Sequence, residues 1–106
     1  MKIVSLTELP DQKVSHNPRI SKRVMITPGE LGKLTNFSRA VFPVGEIAPA
    51  HRHADMAEVF FVLSGSGEMR IDGETFQLRP GVCVLVEPLE AHEVENTGDE
   101  ELVITC

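Results

Sequence analysis

The sequence predicts an all-β protein, a single domain built as a sandwich or barrel of short strands. Most segments after residue 34 are short, rich in Val, Ile, Leu and Phe, and separated by Gly, Pro or Asp. No internal stretch has a convincing helical pattern. Six or more short strands with turn signals between them favour a sandwich or barrel over alternating strands and helices.

Length and composition limit the classes of protein to consider. A chain of 106 residues is the size of one domain and too short for two independent cores. Sixteen acidic and ten basic side chains give a net charge of −6, which opposes binding to a phosphate backbone. Apolar runs such as VCVLV are too short to cross a bilayer. We therefore expect neither nucleic acid nor a membrane as a partner.

The compartment is predicted from the first residues and the cysteines. The stretch MKIVSLTELPDQK has too short an apolar run for a secretory signal. The two cysteines, Cys83 and Cys106, do not resemble a disulfide scaffold, and we expect reduced, mostly structural thiols. A cytoplasmic location follows as the default expectation.

The first third of the chain is less regular than the rest. We expect residues 1–34 to supply edge strands and a loop that pack on a barrel of residues 35–106. Within the first segment, IVSL could be an edge strand, DQKVSHNP has the composition of a loop, and RISKRVMI could pair as another edge strand.

The barrel segment begins with a strand over 35–42 and contains one clear hairpin. In GEMRIDGETFQL, Asp72 and Gly73 form the two-residue connection expected of a type I′ turn. The strands on either side contain Met69 and Ile71, then Phe76 and Leu78. Further strands are predicted over residues 57–63, 82–86, 91–96 and 101–106.

The stretch HRHADMAEVF contains the strongest chemical signal. In extended chain, His51 and His53 project to the same side and can reach one ion. The four residues ADMA can turn the chain so that Glu58 returns to the same ion. His92 is the fourth candidate, which barrel closure could carry across a cavity. Three neutral imidazoles and one carboxylate suit a divalent transition metal, Mn, Fe, Ni or Zn, with one ion per chain. His16, in contrast, is expected to be a surface or satisfied core residue.

The spacing of glycines around these residues makes a family resemblance specific. GEIAPAHRHADMAEVFFVLSG, residues 45–65, resembles in full the first sequence motif of the cupin family. GVCVLVEPLEAHEVEN, residues 81–96, resembles the second motif in Gly81, His92 and Asn96. It departs from that motif at Glu87 and Leu89, which replace the usual proline and glycine.

The resemblance implies a fold and a set of ligands. Only 15 residues separate the two motifs, as in compact single-domain bacterial cupins. The implied fold is a double-stranded β-helix, which is a small jelly-roll barrel. The implied metal ligands are the positions that match the motifs, namely His51, His53, Glu58 and His92.

Several other residues have open roles. Phe60 and Phe61 point to opposite faces of one strand, so one can enter the barrel while the other packs against the first thirty residues or a second copy, and we expect a homodimer. Arg39 could hold an anionic substrate if it points inward, although an outward position is favoured. Asp55 and Met56 could line the mouth of the cavity or only make the turn. Cys83 could approach the metal, but a small buried apolar side chain is favoured.

The leading functional hypothesis is a metal-dependent enzyme acting on a small oxygen-rich metabolite. Cupins include dioxygenases, isomerases, decarboxylases, lyases and cyclases, so an oxidoreductase or an isomerase is possible and no catalytic residue can be named. The alternative is a non-catalytic cupin that binds a small molecule or sugar as a sensor. A purely structural metal is a third hypothesis.

Overall fold

The computed structural model describes residues 2, 4–33 and 36–106. The described residues contain one short 3-10 helix, Leu6–Glu8, and ten β-strands. No helix among them is long and apolar enough to cross a membrane. The strands are β1 (Gln12–Val14), β2 (Asn17–Ile26), β3 (Phe37–Phe42), β4 (Ile47–His51), β5 (Glu58–Ser64), β6 (Gly67–Ile71), β7 (Glu74–Leu78), β8 (Cys83–Val86), β9 (His92–Glu95) and β10 (Leu102–Thr105).

The strands form two antiparallel sheets that enclose the core. The larger sheet has six strands in the order β1-β2-β3-β10-β5-β8, and the smaller has four in the order β4-β9-β6-β7. Both sheets contribute side chains to one apolar cluster, so they face each other as the layers of a jelly roll. The predicted all-β class and jelly-roll fold are confirmed. The cluster contains Ile20, Ala40, Phe42, Phe60, Val62, Met69, Leu78, Val86, Val94, Leu102 and Ile104.

Alternation along the strands determines which side chains face this core. In β3, Ser38, Ala40 and Phe42 are buried, while the residues between them are more exposed. In β5, Phe60 and Val62 are buried, whereas Phe61 is 38% exposed. The two adjacent phenylalanines therefore point to opposite faces, as the sequence predicts.

The hairpin and the later strands lie where the sequence predicts them. Asp72 and Gly73 have φ angles of 47° and 86°, the two positive values that a type I′ turn requires. Met69 and Phe76 are direct partners across this hairpin. The five other predicted strands are present as β3, β5, β8, β9 and β10, with ends that differ by one or two residues where the structure describes them. Residue 35, the predicted start of the first of these strands, lies outside the described residues.

The N-terminal segment differs from prediction. Residues 4–6 of the expected IVSL strand do not form a strand, because the chain enters the short helix at Leu6, and residue 3 lies outside the described residues. The predicted loop DQKVSHNP contains β1 and the start of β2. RISKRVMI is a strand, but β1 and β3 flank it, so it is not at the edge. Its inward Ile20 is fully buried.

A close approach of backbones accounts for one glycine of the first motif. Gly65 has a φ of 81°, and a Cβ there would collide with the carbonyl oxygen of Glu101 and lie 2.8 Å from the Cα of Leu102. Any side chain would push β10 away from the turn between β5 and β6. The glycine is therefore required both by its φ angle and by the space available.

Candidate metal centre

Two of the predicted ligands are neighbours in the smaller sheet. His51 is the last residue of β4 and His92 is the first residue of β9, and the two are direct partners in the antiparallel register. Their ring centroids lie 4.2 Å apart. Antiparallel pairing thus brings together two imidazoles that are forty-one residues apart in the chain.

The other two ligands come from the connection to the larger sheet. Glu58 is the first residue of β5, and His53 lies in the segment that leads to it from β4. Oε1 of Glu58 is 3.1 Å from Nε2 of His53 and 3.2 Å from Nε2 of His92. One potential ligand atom from each of the four residues lies within 4.8 Å of the others. The structure therefore brings all four predicted residues together.

Backbone contacts orient two of the imidazoles. Nδ1 of His51 lies 3.1 Å from the carbonyl oxygen of Pro49, and Nδ1 of His92 lies 3.2 Å from that of Glu90. A carbonyl can only accept, so each Nδ1 carries the proton and donates. Each Nε2 then keeps its lone pair free for a metal, as second-sphere contacts to ligating histidines commonly arrange.

His92 has a buried atom whose hydrogen bonding is incomplete. The side chain is only 1% exposed, and its Nε2 has no well-aligned hydrogen-bond partner among the described residues despite its proximity to Glu58. Leaving a buried polar atom unpaired costs free energy. A divalent cation at the centre of the group would satisfy this nitrogen, so the donor set fits a metal.

The charges of Glu58 and His92 are mutually stabilising. Burial disfavours the charged form of Glu58, but the close contact with His92 and the attraction to His92 and His53 outweigh the effect of burial. The pKa of Glu58 is therefore lowered. Burial likewise disfavours the charged form of His92, but the attraction to Glu58 and the contact with the carbonyl of Glu90 outweigh the effect of burial. The pKa of His92 is therefore raised. Without a cation, the pair therefore favours an internal ion pair.

A cavity of about 360 Å³ adjoins the four residues and lies between the sheets. Its walls are mostly apolar and include Phe60, whose ring meets His92 edge to face at 5.7 Å. A volume of this size suits a small metabolite. The group of four donors thus forms one wall of a space that can hold a ligand.

Four other residues discussed from the sequence do not line this cavity. Arg39 lies on the face of β3 opposite to the inward Ser38 and Ala40. Asp55 is exposed and Met56 half-buried in the β4–β5 connection. Cys83 is exposed at the start of β8, so the expectation of a buried apolar cysteine is wrong.

Three cavity residues were not recognised from the sequence. His16 is exposed, as expected of a surface residue, but it also lines the cavity, with its ring centroid 5.3 Å from that of His51. Lys22 lines it from β2, and Cys106 from beyond β10. Burial raises the pKa of the Cys106 thiol to about 12, so this cysteine is an unreactive wall residue. The positions of His16 and Lys22 depend on the β1–β2 hairpin, which the sequence did not reveal.

The departure from the second motif has a structural counterpart. Leu89 occupies the usual glycine position and has a φ of 72°, a conformation that leucine rarely adopts. Its N–H donates to the carbonyl oxygen of His53 at 2.7 Å. The turn before His92 therefore keeps the backbone conformation of a glycine and is attached to the segment that contains His53.

The fold and the site together define a class of protein, a small jelly roll with three imidazoles and a carboxylate gathered beside an internal cavity. The sequence model of the cupin domain matches residues 38–106, and the chain belongs to the cupin family. This match contains all four candidate ligands.

The chain is also similar to individual curated proteins. It is 32% identical over 75 residues to an uncharacterized protein of Methanocaldococcus jannaschii, with 71% of this chain and 60% of the relative covered. It is 34% identical over 80 residues to the polyketide synthase CurC of Streptomyces cyaneus, and this match covers 74% of this chain and 52% of that protein. It is 32% identical over 84 residues to the glucose-6-phosphate isomerase of Thermococcus gammatolerans, and this match covers 74% of this chain and 40% of that protein. The chain thus spans roughly half the length of these relatives.

Solved structures show the same fold over nearly the whole chain. A crystal structure of a predicted oxalate decarboxylase from Thermotoga maritima matches with a TM-score of 0.87 and 21% identity, covering 98% of this chain and 95% of that one. KdgF from a Halomonas species matches with a TM-score of 0.81 and 23% identity, covering 99% and 90%. The N-terminal strands therefore have counterparts in related folds.

Proposed function

We propose that this protein binds one divalent transition metal ion, Mn, Fe, Ni or Zn, through His51, His53, Glu58 and His92. The observation that carries the proposal is the buried Nε2 of His92, which has no aligned hydrogen-bond partner in the part of the chain that the structure describes. One possible ligand atom of His92 lies within 4.8 Å of those of the other three residues. Three imidazoles and one carboxylate form a borderline donor set that suits these metals rather than Ca²⁺ or Mg²⁺.

We further propose that the protein is an enzyme that acts on a small oxygen-rich metabolite held in the adjoining cavity. A bound metal would supply Lewis-acid or O₂ chemistry. The chain itself orients two of the three imidazoles, His51 and His92, through backbone carbonyls. It supplies one negative charge from Glu58 and excludes water with apolar walls such as Phe60 and Val94. The reaction is of the dioxygenase, isomerase, lyase or cyclase type, and a relative named as a glucose-6-phosphate isomerase supports the isomerase among these.

A second candidate function is binding without turnover, as a sensor or carrier of a small molecule or sugar. It is favoured by the scarcity of acid–base groups in the cavity. Apart from the four donors, the described titratable residues that line it are His16, Lys22 and Cys106. The Cys106 thiol, with its raised pKa, does not serve as a base.

The metal proposal is tested by metal analysis of the purified protein and by calorimetric titration of the chelator-treated protein with Zn²⁺ and Mn²⁺. One ion per chain is expected. His53→Ala should weaken binding by more than about 100-fold, because even the loss of an outer-sphere partner costs 10–100-fold. His16→Ala is the matched control, since His16 lines the same cavity but is outside the donor group. Equal affinity in His53→Ala and wild type would refute the proposed site.

The two functions are separated by a screen of small hydroxy acids, keto acids and sugars, with product analysis and oxygen consumption as readouts. Turnover that disappears both in His53→Ala and in the EDTA-treated wild type, and returns when the metal is added back to the wild type, supports the metal-dependent enzyme. Saturable binding without turnover of any compound supports the binding protein. A metal whose removal lowers the melting temperature but leaves ligand binding unchanged would be structural.

A further inference from the structure

Lys22 places a positive charge inside the cavity. It lies on β2 two residues after the fully buried Ile20, so both side chains leave the strand on its inward face. Its partner across the β2–β3 pair is Ala40, which is also buried and lines the cavity. The aliphatic stem of Lys22 therefore lies along an apolar wall, with the ammonium group at its end.

No described carboxylate forms a salt bridge with this ammonium group. Among the described residues, four cations have a carboxylate partner, namely Lys2, Arg19, Arg23 and Arg70. The other described cations without one do not line the cavity, so Lys22 is the unpaired cation on its wall. Among the described residues that line the cavity, Glu58 is the one carboxylate, and it is already engaged by His53 and His92. Lys22 is half-buried, and its ammonium group, which has no counter-ion among the described residues, is available to an anionic ligand in the cavity.

The charge of Lys22 acts on the space that a ligand would occupy. Lys22 opposes the burial that raises the pKa of the Cys106 thiol, and Cys106 lines the cavity from beyond β10. The positive charge of Lys22 therefore extends to this part of the cavity wall.

Two neutral polar side chains lie on the same wall. Ser38 is only 1% exposed, and its hydroxyl donates to Oδ1 of Asn36 at 3.0 Å. This contact engages the oxygen of the amide, and the Nδ2 of Asn36 remains as a donor. Lys22 pairs with Ala40 of β3, and Ser38 is the next residue of β3 that points inward. A cationic donor and an amide donor are thus available on one side of the cavity.

We propose that Lys22 and Asn36 form an anion-binding subsite, so that the ligand is a small acid carrying a metal-chelating group and a second, distal anionic group. This inference rests on the proposed function for the chelating half of the ligand. The distal group would accept charge-assisted hydrogen bonds, which are about twice as strong as neutral ones. The subsite distinguishes diacids, or acids with an equivalent terminal anion, from monoacids of the same length.

The test uses two probes that differ only in the distal group, 2-hydroxyglutarate and 2-hydroxypentanoate. Both offer the same α-hydroxy acid to a metal, and only the first has a terminal carboxylate. Calorimetric titration of the Zn²⁺-loaded protein should show about tenfold tighter binding of the diacid, the effect of one hydrogen bond to a charged group. In Lys22→Met most of this preference should be lost, with only the weaker contribution of Asn36 remaining, while Zn²⁺ affinity is unchanged.

Two further variants serve as controls. Lys13→Met removes the same charge from an exposed position on β1 that does not line the cavity, and it should keep the tenfold preference. Lys22→Arg keeps the charge and should retain a preference of several-fold, which separates the charge from any effect on folding. An unchanged preference in Lys22→Met, or equal binding of both probes by the wild type, would overturn the subsite.

Binding experiments on the metal-free protein test the anion-binding subsite independently of the proposed metal site. Glutarate should bind weakly to the EDTA-treated wild type and not to Lys22→Met. If no metal binds but glutarate binding still depends on Lys22, the subsite stands and the metal proposal fails. If Zn²⁺ binds tightly but the distal carboxylate has no effect, the metal proposal stands and the subsite fails.

Discussion

Glu58 and His92 approach each other across the gap between the two sheets, with Oε1 of the first 3.2 Å from Nε2 of the second. Glu58 belongs to β5 of the larger sheet and His92 to β9 of the smaller one. The carboxylate has a lowered pKa and the imidazole a raised one, because each stabilises the charge of the other. The same two atoms are required by a metal, which competes with this ion pair.

The metal-free and metal-loaded proteins should therefore respond to pH in opposite ways. The raised pKa of His92 stabilises the metal-free fold fully below about pH 6.5, and this contribution is lost as the pH rises through the raised value. The lowered pKa of Glu58 adds stability above about pH 4.5 that is lost on further acidification. A metal instead needs neutral imidazoles, so we expect it to dissociate below about pH 5.5.

Urea unfolding between pH 5 and 8.5, with EDTA or with one equivalent of Zn²⁺, measures both effects. The contribution of the pair is the difference in the free energy of unfolding between wild type and His92→Gln, a substitution that removes the titrating group. Because both proteins contain the other histidines, such as His16, their effects cancel in this difference. In EDTA this difference should shrink as the pH rises above 6.5. A difference that grows with pH in EDTA would contradict the ion pair.

Leu89→Gly should stabilise the protein by about 1 kcal/mol, because the positive φ at this position disfavours any residue with a Cβ. The leucine side chain is 61% exposed, so little burial is lost. Urea unfolding at constant pH measures the change. Leu89→Ala is the matched control and should be nearly neutral, since alanine keeps the strain. Equal effects of the two substitutions would show that the backbone conformation does not limit stability here.

Asn96→Ala should destabilise the protein by about 3 kcal/mol, since the buried side chain makes three hydrogen bonds to backbone groups. Its Nδ2 donates to the carbonyl oxygens of Phe42 and Glu100 at 2.9 and 2.8 Å, and its Oδ1 accepts from the N–H of Gly98. Asn17→Ala is the control, because Asn17 makes similar contacts near the surface and should cost about 1 kcal/mol. Metal affinity should be retained in both variants that fold. Chemical denaturation measures the free energy of unfolding of each variant. The structural role of Asn96 is refuted if Asn96→Ala lowers this free energy no more than Asn17→Ala does.

The homodimer expected from the sequence stays a prediction, and the outer face of β5 and β8 is where we expect it. Val59, Phe61, Leu63 and Leu85 are each between 38% and 58% exposed on this face. Burying them against the same face of a second copy would remove a contiguous apolar patch from water. Light scattering after size exclusion should show a dimer for wild type and a monomer for Phe61→Glu. Phe76→Glu, on β7 of the other sheet, is the control that should remain dimeric.

The candidate ligands were predictable because their spacing is a local property of the sequence. His51 and His53 alternate with one residue between them, and the turn to Glu58 is short, so only His92 required knowledge of the fold. That fourth position was a candidate because barrel closure could carry it across a cavity, and the resemblance to the second cupin motif then implied the same residue. The register pairs His51 with His92, and one possible ligand atom from each of the four residues lies within 4.8 Å of the others.

The features that the sequence did not reveal depend on strand phase and pairing. Every residue of VCVLV is apolar, so composition does not tell which face is inward, and Cys83 is exposed while Val84 packs against the core. Lys22 is one of two closely spaced basic residues in β2, Lys22 and Arg23, and only pairing with β3 shows which one faces the cavity. The helical turn at Leu6–Glu8 replaces an expected strand because β1 begins only at Gln12.

The position of β10 has a consequence for how the protein is made. It lies between β3 and β5 and is the last of the described strands to emerge from the ribosome. Until it arrives, β1-β2-β3 and β5-β8 have no central strand to join them, and their inward apolar residues lack a common partner. Completion of the larger sheet therefore has to wait for residues 102–105, and a nascent chain stalled before them would expose two unpaired strand edges to aggregation.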